Sequence, residues 1–146
     1  MRQIEGGCHC GNIRFQFLWP LVDTQIPVRA CGCSFCTKHS GIYTSHPEAQ
    51  LAVEIVDRSL VNKYMFGTKT AEFHICSRCG VVPFVTSTID GREYAVVNVN
   101  TFNDVDPSEL TSSVSNFDAE TTADRLGRRK RSWIPNVSVT HAHPEA

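Results

Sequence analysis

Residues 81–99 read VVPFVTSTIDGREYAVVNV, two largely apolar runs on either side of the dipeptide Asp90-Gly91. The first run spans residues 81–89 and the second spans residues 93–99. An Asp-Gly pair readily adopts the positive φ angles of a tight hairpin turn. The stretch therefore predicts a β-hairpin.

Alternation of apolar and less buried positions, the period of a half-buried strand, recurs toward the N-terminus. One such strand ends at Pro20 and places its apolar side chains at Ile13, Phe15, Phe17 and Trp19. The same alternation occurs in residues 51–55, 62–66 and 71–75. We predict that these segments are successive antiparallel strands.

Helical signals are few. Residues 106–109, Asp-Pro-Ser-Glu, supply an N-cap acid, a proline at the first helical position and a glutamate at the third, which predicts a short helix. Residues 118–130 are a second candidate, for one or two helical turns. The last residues, HAHPEA at 141–146, are expected to form a frayed tail.

Length and composition indicate a single domain over residues 1–146, long enough to bury a core. The hydrophobic fraction of 41% and the charged fraction of 20% are ordinary. A formal net charge of -1 gives no reason to expect nucleic acid as a partner. No stretch approaches the roughly 18 apolar residues of a membrane span, and the start lacks the layout of a signal peptide. These features predict a cytoplasmic protein that is not bound to a membrane.

Cysteine is the residue type whose use departs from the ordinary. The seven cysteines fall in three tight groups, at Cys8, Cys10, Cys31, Cys33, Cys36, Cys76 and Cys79. A framework of disulfides alone would leave one thiol over, because seven is odd. In a reducing compartment, thiols separated by one or two residues are typical of metal ligands. The pattern predicts zinc.

The first and third groups have the form of turns around a metal. The first, GGCHCGN, surrounds Cys8 and Cys10 with glycines that let the backbone turn sharply. The third, CSRCG, has Cys76 and Cys79 two residues apart with Gly80 next, the form of a zinc knuckle. Each supplies half of a tetrahedral site.

The second group, CGCSFC, places Cys31, Cys33 and Cys36 within six residues. Three ligands from one short loop can occupy one face of a tetrahedron, which leaves the fourth position open. An open position distinguishes catalytic zinc from structural zinc. Seven cysteines then divide into four and three.

Spacing also permits a ribbon, in which Cys33 and Cys36 join Cys76 and Cys79 as two CxxC units. The 39 residues between Cys36 and Cys76 exceed a typical ribbon spacer, and the ribbon would divide the compact three-thiol group. Spacing by itself leaves both pairings open.

The order of the motifs resembles the glutathione-dependent formaldehyde-activating enzymes. The similar segments are GGCHCGNIRF, CGCSFCTKHSG, FHICSRCGVVPF, YAVVNVNTF and a basic stretch that ends at Trp133. The resemblance covers about residues 5–133. It implies a mainly β, zinc-stabilised fold of coiled antiparallel β-sheets with short helical turns. It also implies two zinc ions per chain, with structural ligands Cys8, Cys10, Cys76 and Cys79 and catalytic ligands Cys31, Cys33 and Cys36.

The activity that the resemblance implies is that of a carbon-sulfur lyase, which adds a thiol such as glutathione to a small aldehyde such as formaldehyde, or reverses that addition. Charge supports it, because three thiolates on divalent zinc give a site of net charge -1, which is a weak Lewis acid. Such a site suits an exogenous thiolate better than hydroxide. Two other hypotheses are a zinc-stabilised binding module and a redox switch at the three-thiol group.

Other polar residues have competing interpretations. His39, His46 and His74 could fill the open position or move a proton, although a structural role is favoured for each. Residues 128–131 are basic and could meet the carboxylates of an anionic peptide, whereas a solvated charged face is the ordinary interpretation. The sequence leaves the oligomeric state open.

Overall fold

The computed structural model describes residues 1–22 and 25–141, and within these ranges the protein is mainly β. The strands are β1 Arg2–Gly7, β2 Ile13–Trp19, β3 Ile26–Cys31, β4 Ile42–Thr44, β5 Gln50–Ile55, β6 Val61–Tyr64, β7 Glu72–Cys76, β8 Phe84–Ile89, β9 Arg92–Asn98, β10 Leu110–Ser115 and β11 Asn136–His141. The α-helices are α1 Ser34–His39 and α2 Thr122–Ser132, and single 3-10 turns cover Arg58–Leu60, Val99–Thr101 and Pro107–Glu109. The predicted mainly β fold is confirmed.

The strands form two sheets. The first has the order β1-β2-β5-β11 and the second the order β10-β3-β4-β9-β8-β7-β6. Most neighbours are antiparallel, as predicted, but β10 pairs with β3 and β11 pairs with β5 in parallel. The segments predicted as successive strands also separate, because β5 lies in the first sheet while β6 and β7 form an antiparallel pair in the second.

The hairpin of residues 81–99 is present. Strands β8 and β9 pair from Phe84↔Val97 to Ile89↔Arg92. Asp90 and Gly91 have φ angles of 53° and 77°, which the two-residue turn requires. The prediction from the Asp-Gly dipeptide is confirmed.

Strand β1 was not predicted, because RQIEGG has little alternation and ends in two glycines. Gly6 allows a close approach between segments: a Cβ atom there would lie 2.3 Å from the carbonyl oxygen of Thr101. A larger residue would push β1 away from the turn Val99–Thr101. The strand therefore depends on a contact between segments that are distant in the sequence, which local patterns do not reveal.

One helical prediction is fulfilled, and the two α-helices differ from the predictions. Pro107–Glu109 forms the predicted short helix with the expected capping box. Helix α2 begins after its N-cap Thr121 and is longer than the one or two turns expected. Helix α1, inside the second cysteine group, was missed because its N-cap is a thiol: Cys33 Sγ accepts the N–H of Cys36 at 3.3 Å. His141 ends β11 and is not part of a tail, and residues 142–146 lie outside the described residues.

The centre of the second sheet, at β8 and β9, is buried on both faces. On β8 and β9, Phe84 and Val97 belong to the core cluster that also contains β2 and β5, whereas Val85 and Val96 belong to another cluster. Successive side chains point to opposite faces of a strand, so the two clusters lie on opposite sides of this sheet. The cluster around Val85 and Val96 also contains Cys36 and forms part of one candidate site. None of the described helices has the length and apolarity needed to cross a membrane.

Candidate metal centres and the adjoining cavity

Four thiols meet where the two sheets approach each other. The Sγ atoms of Cys8, Cys10, Cys76 and Cys79 all lie within 4.8 Å of one another. Cys10 Sγ is 3.7 Å from Cys8 Sγ and 3.5 Å from Cys76 Sγ. Tetrahedral zinc with bonds of about 2.3 Å to sulfur places its ligands roughly 3.8 Å apart. The donor set and its spacing therefore fit a closed four-thiolate metal site.

The turns that contain these cysteines fix the positions of their sulfur atoms. In the β1–β2 connection, the N–H of Ile13 donates to Cys8 Sγ at 3.3 Å, while Cys8 donates its own N–H to the Ile13 carbonyl at 2.9 Å. After β7, the N–H of Gly80 donates to the Cys76 carbonyl at 2.7 Å, with Gly80 at φ 80°. Each turn presents two thiols.

Backbone donors also favour thiolates here. Burial raises the pKa of Cys79, but the N–H groups of Cys10 and Val81, together with hydrogen bonds from the Cys76 and Cys8 thiols, outweigh it and lower that pKa to about 6. Burial raises the pKa of Cys8 to about 12. A metal ion would offset the second effect, because coordination deprotonates the thiol.

The second cluster contains three thiols, from the end of β3 and from α1. The Sγ atoms of Cys31, Cys33 and Cys36 lie within 4.8 Å of one another. No histidine nitrogen or carboxylate oxygen of the described residues joins this group. The cysteines thus assemble as four and three, and the ribbon pairing does not occur. The structural and catalytic roles assigned to the two groups stay predictions.

The three-thiol cluster is arranged to hold negative charge. A hydrogen bond from Cys36, the backbone N–H of Cys33 and the charge of Arg29 lower the pKa of Cys31 to about 5, against the opposing effect of burial. The bond to Cys31, together with burial, raises the pKa of Cys36. One thiolate is therefore stabilised even without a metal.

Tyr43 lies beside this cluster and contacts Cys36. Its Oη lies 3.4 Å from Cys36 Sγ and 3.3 Å from His39 Nε2. Burial raises the pKa of Tyr43, so the phenol keeps its proton. When Cys36 is a thiolate, the hydroxyl donates to the sulfur and accepts from the His39 ring N–H. Gly41 leaves room for the Tyr43 hydroxyl, since a Cβ atom at position 41 would lie 2.5 Å from Tyr43 Oη.

The other two candidate histidines have structural roles. His74 is buried, stacks on Phe84 with ring centroids 4.2 Å apart, and its Nε2 lies 2.7 Å from Thr86 Oγ1. His46 packs edge-on against Trp19 and caps its own turn. His39 Nε2 lies 3.3 Å from the Tyr43 hydroxyl, which in turn contacts Cys36. None of the three joins the thiols as a ligand.

All three thiols face a cavity of about 420 Å³. Its apolar wall is formed by Phe66, Phe73, Val85, Val96 and Trp133. Its charged lining consists of four arginines and one carboxylate, at Arg29, Arg125, Arg128, Arg129 and Asp118. None of the four-thiol residues lines this cavity.

The basic run at residues 128–131 therefore divides between two environments. Arg128 and Arg129 line the cavity, whereas Lys130 pairs with Asp90 at 2.9 Å on the surface. The interpretation as a solvated face is wrong for the first two residues and right for Lys130 and Arg131, which are exposed.

Sequence reasoning missed Arg29, Tyr43, Arg125 and the cavity itself. Two signals could have located the arginines. Arg29 is two residues before Cys31 on a strand, which places both on one face. Arg125, Arg128 and Arg129 have the i, i+3, i+4 spacing of one helix face.

The fold and its two thiol clusters define a cysteine-rich β protein with two candidate metal centres. Residues 3–120 match the sequence profile of the glutathione-dependent formaldehyde-activating enzymes, and the chain belongs to that family. A putative glutathione-dependent formaldehyde-activating enzyme of Halomonas elongata is 32% identical over 83 residues. That alignment covers 52% of this chain and 51% of the relative, so the chain matches about half of the relative's length.

A solved structure shares the fold. The crystal structure of a Rhodobacter sphaeroides protein superimposes with a TM-score of 0.54 at 24% identity, covering 75% of this chain and 99% of that protein. At this identity the likeness concerns architecture alone.

Proposed function

We propose that the protein is a zinc-dependent carbon-sulfur lyase that adds a thiol such as glutathione to a small aldehyde such as formaldehyde, or catalyses the reverse reaction. The observation that carries the proposal is that the three-thiol cluster opens into a cavity, whereas the four-thiol cluster does not line it. Cys31, Cys33 and Cys36 would hold the catalytic zinc, and Cys8, Cys10, Cys76 and Cys79 would hold a structural one.

Zinc bound by three thiolates supplies an open position at which a substrate thiol is favoured as its thiolate. Side chains of the protein would position the metal ligands and exclude water. Tyr43 holds the Cys36 sulfur through its hydroxyl. The aromatic wall at Phe66, Phe73 and Trp133 limits the water around the reacting groups.

The addition itself balances in protons and bonds. The thiolate sulfur forms a bond to the carbonyl carbon, and the π electrons move to the carbonyl oxygen. That oxygen takes up one proton, which matches the proton that the thiol released. Holding the two partners together in one cavity is expected to accelerate this step.

The test compares the protein with its own Cys33→Ser variant. Formation of S-hydroxymethylglutathione from glutathione and formaldehyde would be followed by NMR, with the rapid uncatalysed reaction measured at the same concentrations. We expect acceleration by the native protein and by Thr88→Ser, an exposed change on the hairpin, and none by Cys33→Ser. Equal rates with native protein and Cys33→Ser would refute the lyase proposal and favour a binding module.

A further inference from the structure

The connection between β6 and β7, residues 65–71, forms one side of the cavity, and we call it the wall loop. Most of its residues line the cavity: Phe66, Gly67, Thr68, Thr70 and Ala71. Residues 67–69 are exposed to solvent, and Lys69 has a left-handed φ of 55°, which is uncommon for a residue other than glycine. An exposed connection of this kind is the part of a fold that opens at low free-energy cost.

The start of the wall loop is held by contacts between aromatic rings. The Phe66 ring centroid lies 5.6 Å from that of Phe73 and 5.8 Å from that of Phe35. Phe35 belongs to α1 and lies between Cys33 and Cys36 in the sequence. Phe66 therefore packs beside the three-thiol cluster, through ring contacts that can separate without breaking a hydrogen bond.

The end of the wall loop is held by hydrogen bonds at Thr70. Arg129 donates from Nη1 to the Thr70 carbonyl oxygen at 3.2 Å and to Thr70 Oγ1 at 2.9 Å. Ser87 donates its hydroxyl to the same carbonyl oxygen at 2.6 Å and accepts from Arg129 Nη1 at 3.2 Å. Arg129 is 6% exposed and Ser87 is 2% exposed. These three residues thus form a largely buried set of hydrogen bonds that ties the loop to α2 and β8.

Arg129 carries its charge in an opposing environment. Burial and the charges of Arg128 and Arg125 lower its pKa to about 10, against the smaller effect of nearby negative groups, so it remains charged at neutral pH. Its three acceptors are neutral, and its guanidinium lies 4.9 Å from the Trp133 ring centroid. Burying a charge costs free energy that a neutral side chain would avoid. What arginine adds here is one group that bonds two acceptors of the loop and one of β8 together.

The other arginines on this face of α2 hold the segment that follows β10. Arg125 donates to the Phe117 carbonyl oxygen at 2.8 Å. Arg128 donates to both carboxylate oxygens of Glu120, at 2.9 and 3.0 Å, and its guanidinium lies 3.6 Å from the Phe117 ring centroid. Helix α2 therefore holds two connections beside the cavity, and Arg129 is its contact with the wall loop.

We propose that the wall loop is a gate to the three-thiol cluster, closed by the bonds between Arg129 and Thr70, and that its opening admits and releases the molecules that react there. Arg129 acts through the loop, so it is a positioning residue. Helix α2 and the wall loop line the cavity together, and their separation would widen its entrance. The inference goes beyond the lyase proposal, since it concerns access to the thiols whatever reaction they serve. Arg129 lies outside the segment of residues 3–120 that matches the family.

The experiment measures how fast N-ethylmaleimide alkylates each cysteine of the zinc-loaded full chain, by mass spectrometry of its peptides. If the reagent reaches Cys31, Cys33 and Cys36 through the gate, their alkylation rates follow the population of the open loop. The cysteines of the four-thiol cluster do not line the cavity and serve as an internal control. A loss of overall stability would raise the rates of both clusters, whereas an open gate raises those of the three-thiol cluster alone.

Thr70→Val removes the hydroxyl that accepts from Arg129 and keeps the shape of the side chain, whereas Thr70→Ser keeps the hydroxyl and is the matched control. Loss of a hydrogen bond to a charged group should raise the open population, and with it the alkylation rates of the three-thiol cluster, about tenfold. Arg129→Gln should have at least that effect, and Thr70→Ser should leave the rates unchanged. Amide hydrogen exchange at residues 67–69 should accelerate in the same two variants.

The outcomes are distinct from those of the lyase test. Unchanged rates at the three-thiol cluster in Thr70→Val and Arg129→Gln would overturn the gate, as would equal acceleration of both clusters or equal acceleration by Thr70→Ser. If Arg129→Gln does not fold, Thr70→Val alone decides. Selective acceleration at the three-thiol cluster supports the gate even if Cys33→Ser and native protein add formaldehyde at equal rates.

Discussion

Cys33 has two roles that one substitution can separate. Its sulfur belongs to the three-thiol cluster and also accepts the N–H of Cys36 as the N-cap of α1. Serine is itself a favoured N-cap, so Cys33→Ser should remove the metal-binding thiol while α1 remains capped. We expect this variant to lose one of two zinc equivalents by elemental analysis, with little change in melting temperature.

Cys76→Ser is the matched comparison. Cys76 is 0% exposed, lies in the core cluster between the sheets, and belongs to the four-thiol group. Its loss should lower the melting temperature clearly, because structural zinc contributes directly to folding. Equal melting temperatures for the two variants would contradict the assigned division into structural and catalytic sites.

The hydroxyl of Tyr43 offers a finer test of the second centre. Tyr43→Phe removes the donor to Cys36 Sγ without removing any thiol. Loss of a group that supports a metal ligand typically weakens metal binding by about tenfold or more. Chelator competition should show this for one zinc ion and not the other. Tyr94→Phe, at a buried tyrosine that does not line the cavity, should leave both affinities unchanged.

The β8–β9 hairpin and helix α2 contain glycines with opposite roles. Gly91 has φ 77° and open space around it, so Gly91→Ala meets no clash but must adopt a left-handed conformation. We expect a loss of about 1 kcal/mol in the free energy of unfolding.

Gly127 lies inside α2, where an added Cβ would meet only the flexible end of Arg131 at 3.3 Å. Gly127→Ala should therefore raise the free energy of unfolding by about 1 kcal/mol, the difference in helix propensity. Urea unfolding of both variants measures the two effects. Changes of the same sign would mean that the turn or the helix is not as described.

The four-thiol site connects the two sheets, because Cys8 and Cys10 lie between β1 and β2 while Cys76 and Cys79 lie at the end of β7. The three-thiol site involves the second sheet and α1 only. Complete removal of metal should thus lower the melting temperature by a similar amount in native protein and in Cys33→Ser. If metal removal lowered the melting temperature of Cys33→Ser much less than that of the native protein, the stabilising metal would be at the three-thiol cluster, contrary to this assignment.

Local patterns predicted what depends on a few adjacent residues. The Asp90-Gly91 turn, strand β2 and the capping box at Pro107–Glu109 were all foreseen, since each is set by backbone preferences or side-chain alternation over a short span. Strand β1 and helix α1 were not. The first depends on contact with a distant turn at Thr101, and the second is capped by a thiol.

The three groups of cysteines, the sharp turns around them and the predominance of β-strands follow from the sequence alone. Each of these is a property of neighbouring residues. Which thiols share a centre depends on folding, which brings Cys10 and Cys76 to 3.5 Å across 66 positions. The cavity likewise depends on folding, because its lining comes from strands β3, β8 and β9 and from helices α1 and α2. Arg29 and Arg129 are a hundred positions apart in sequence and face one space, since that arrangement is set by how the layers pack.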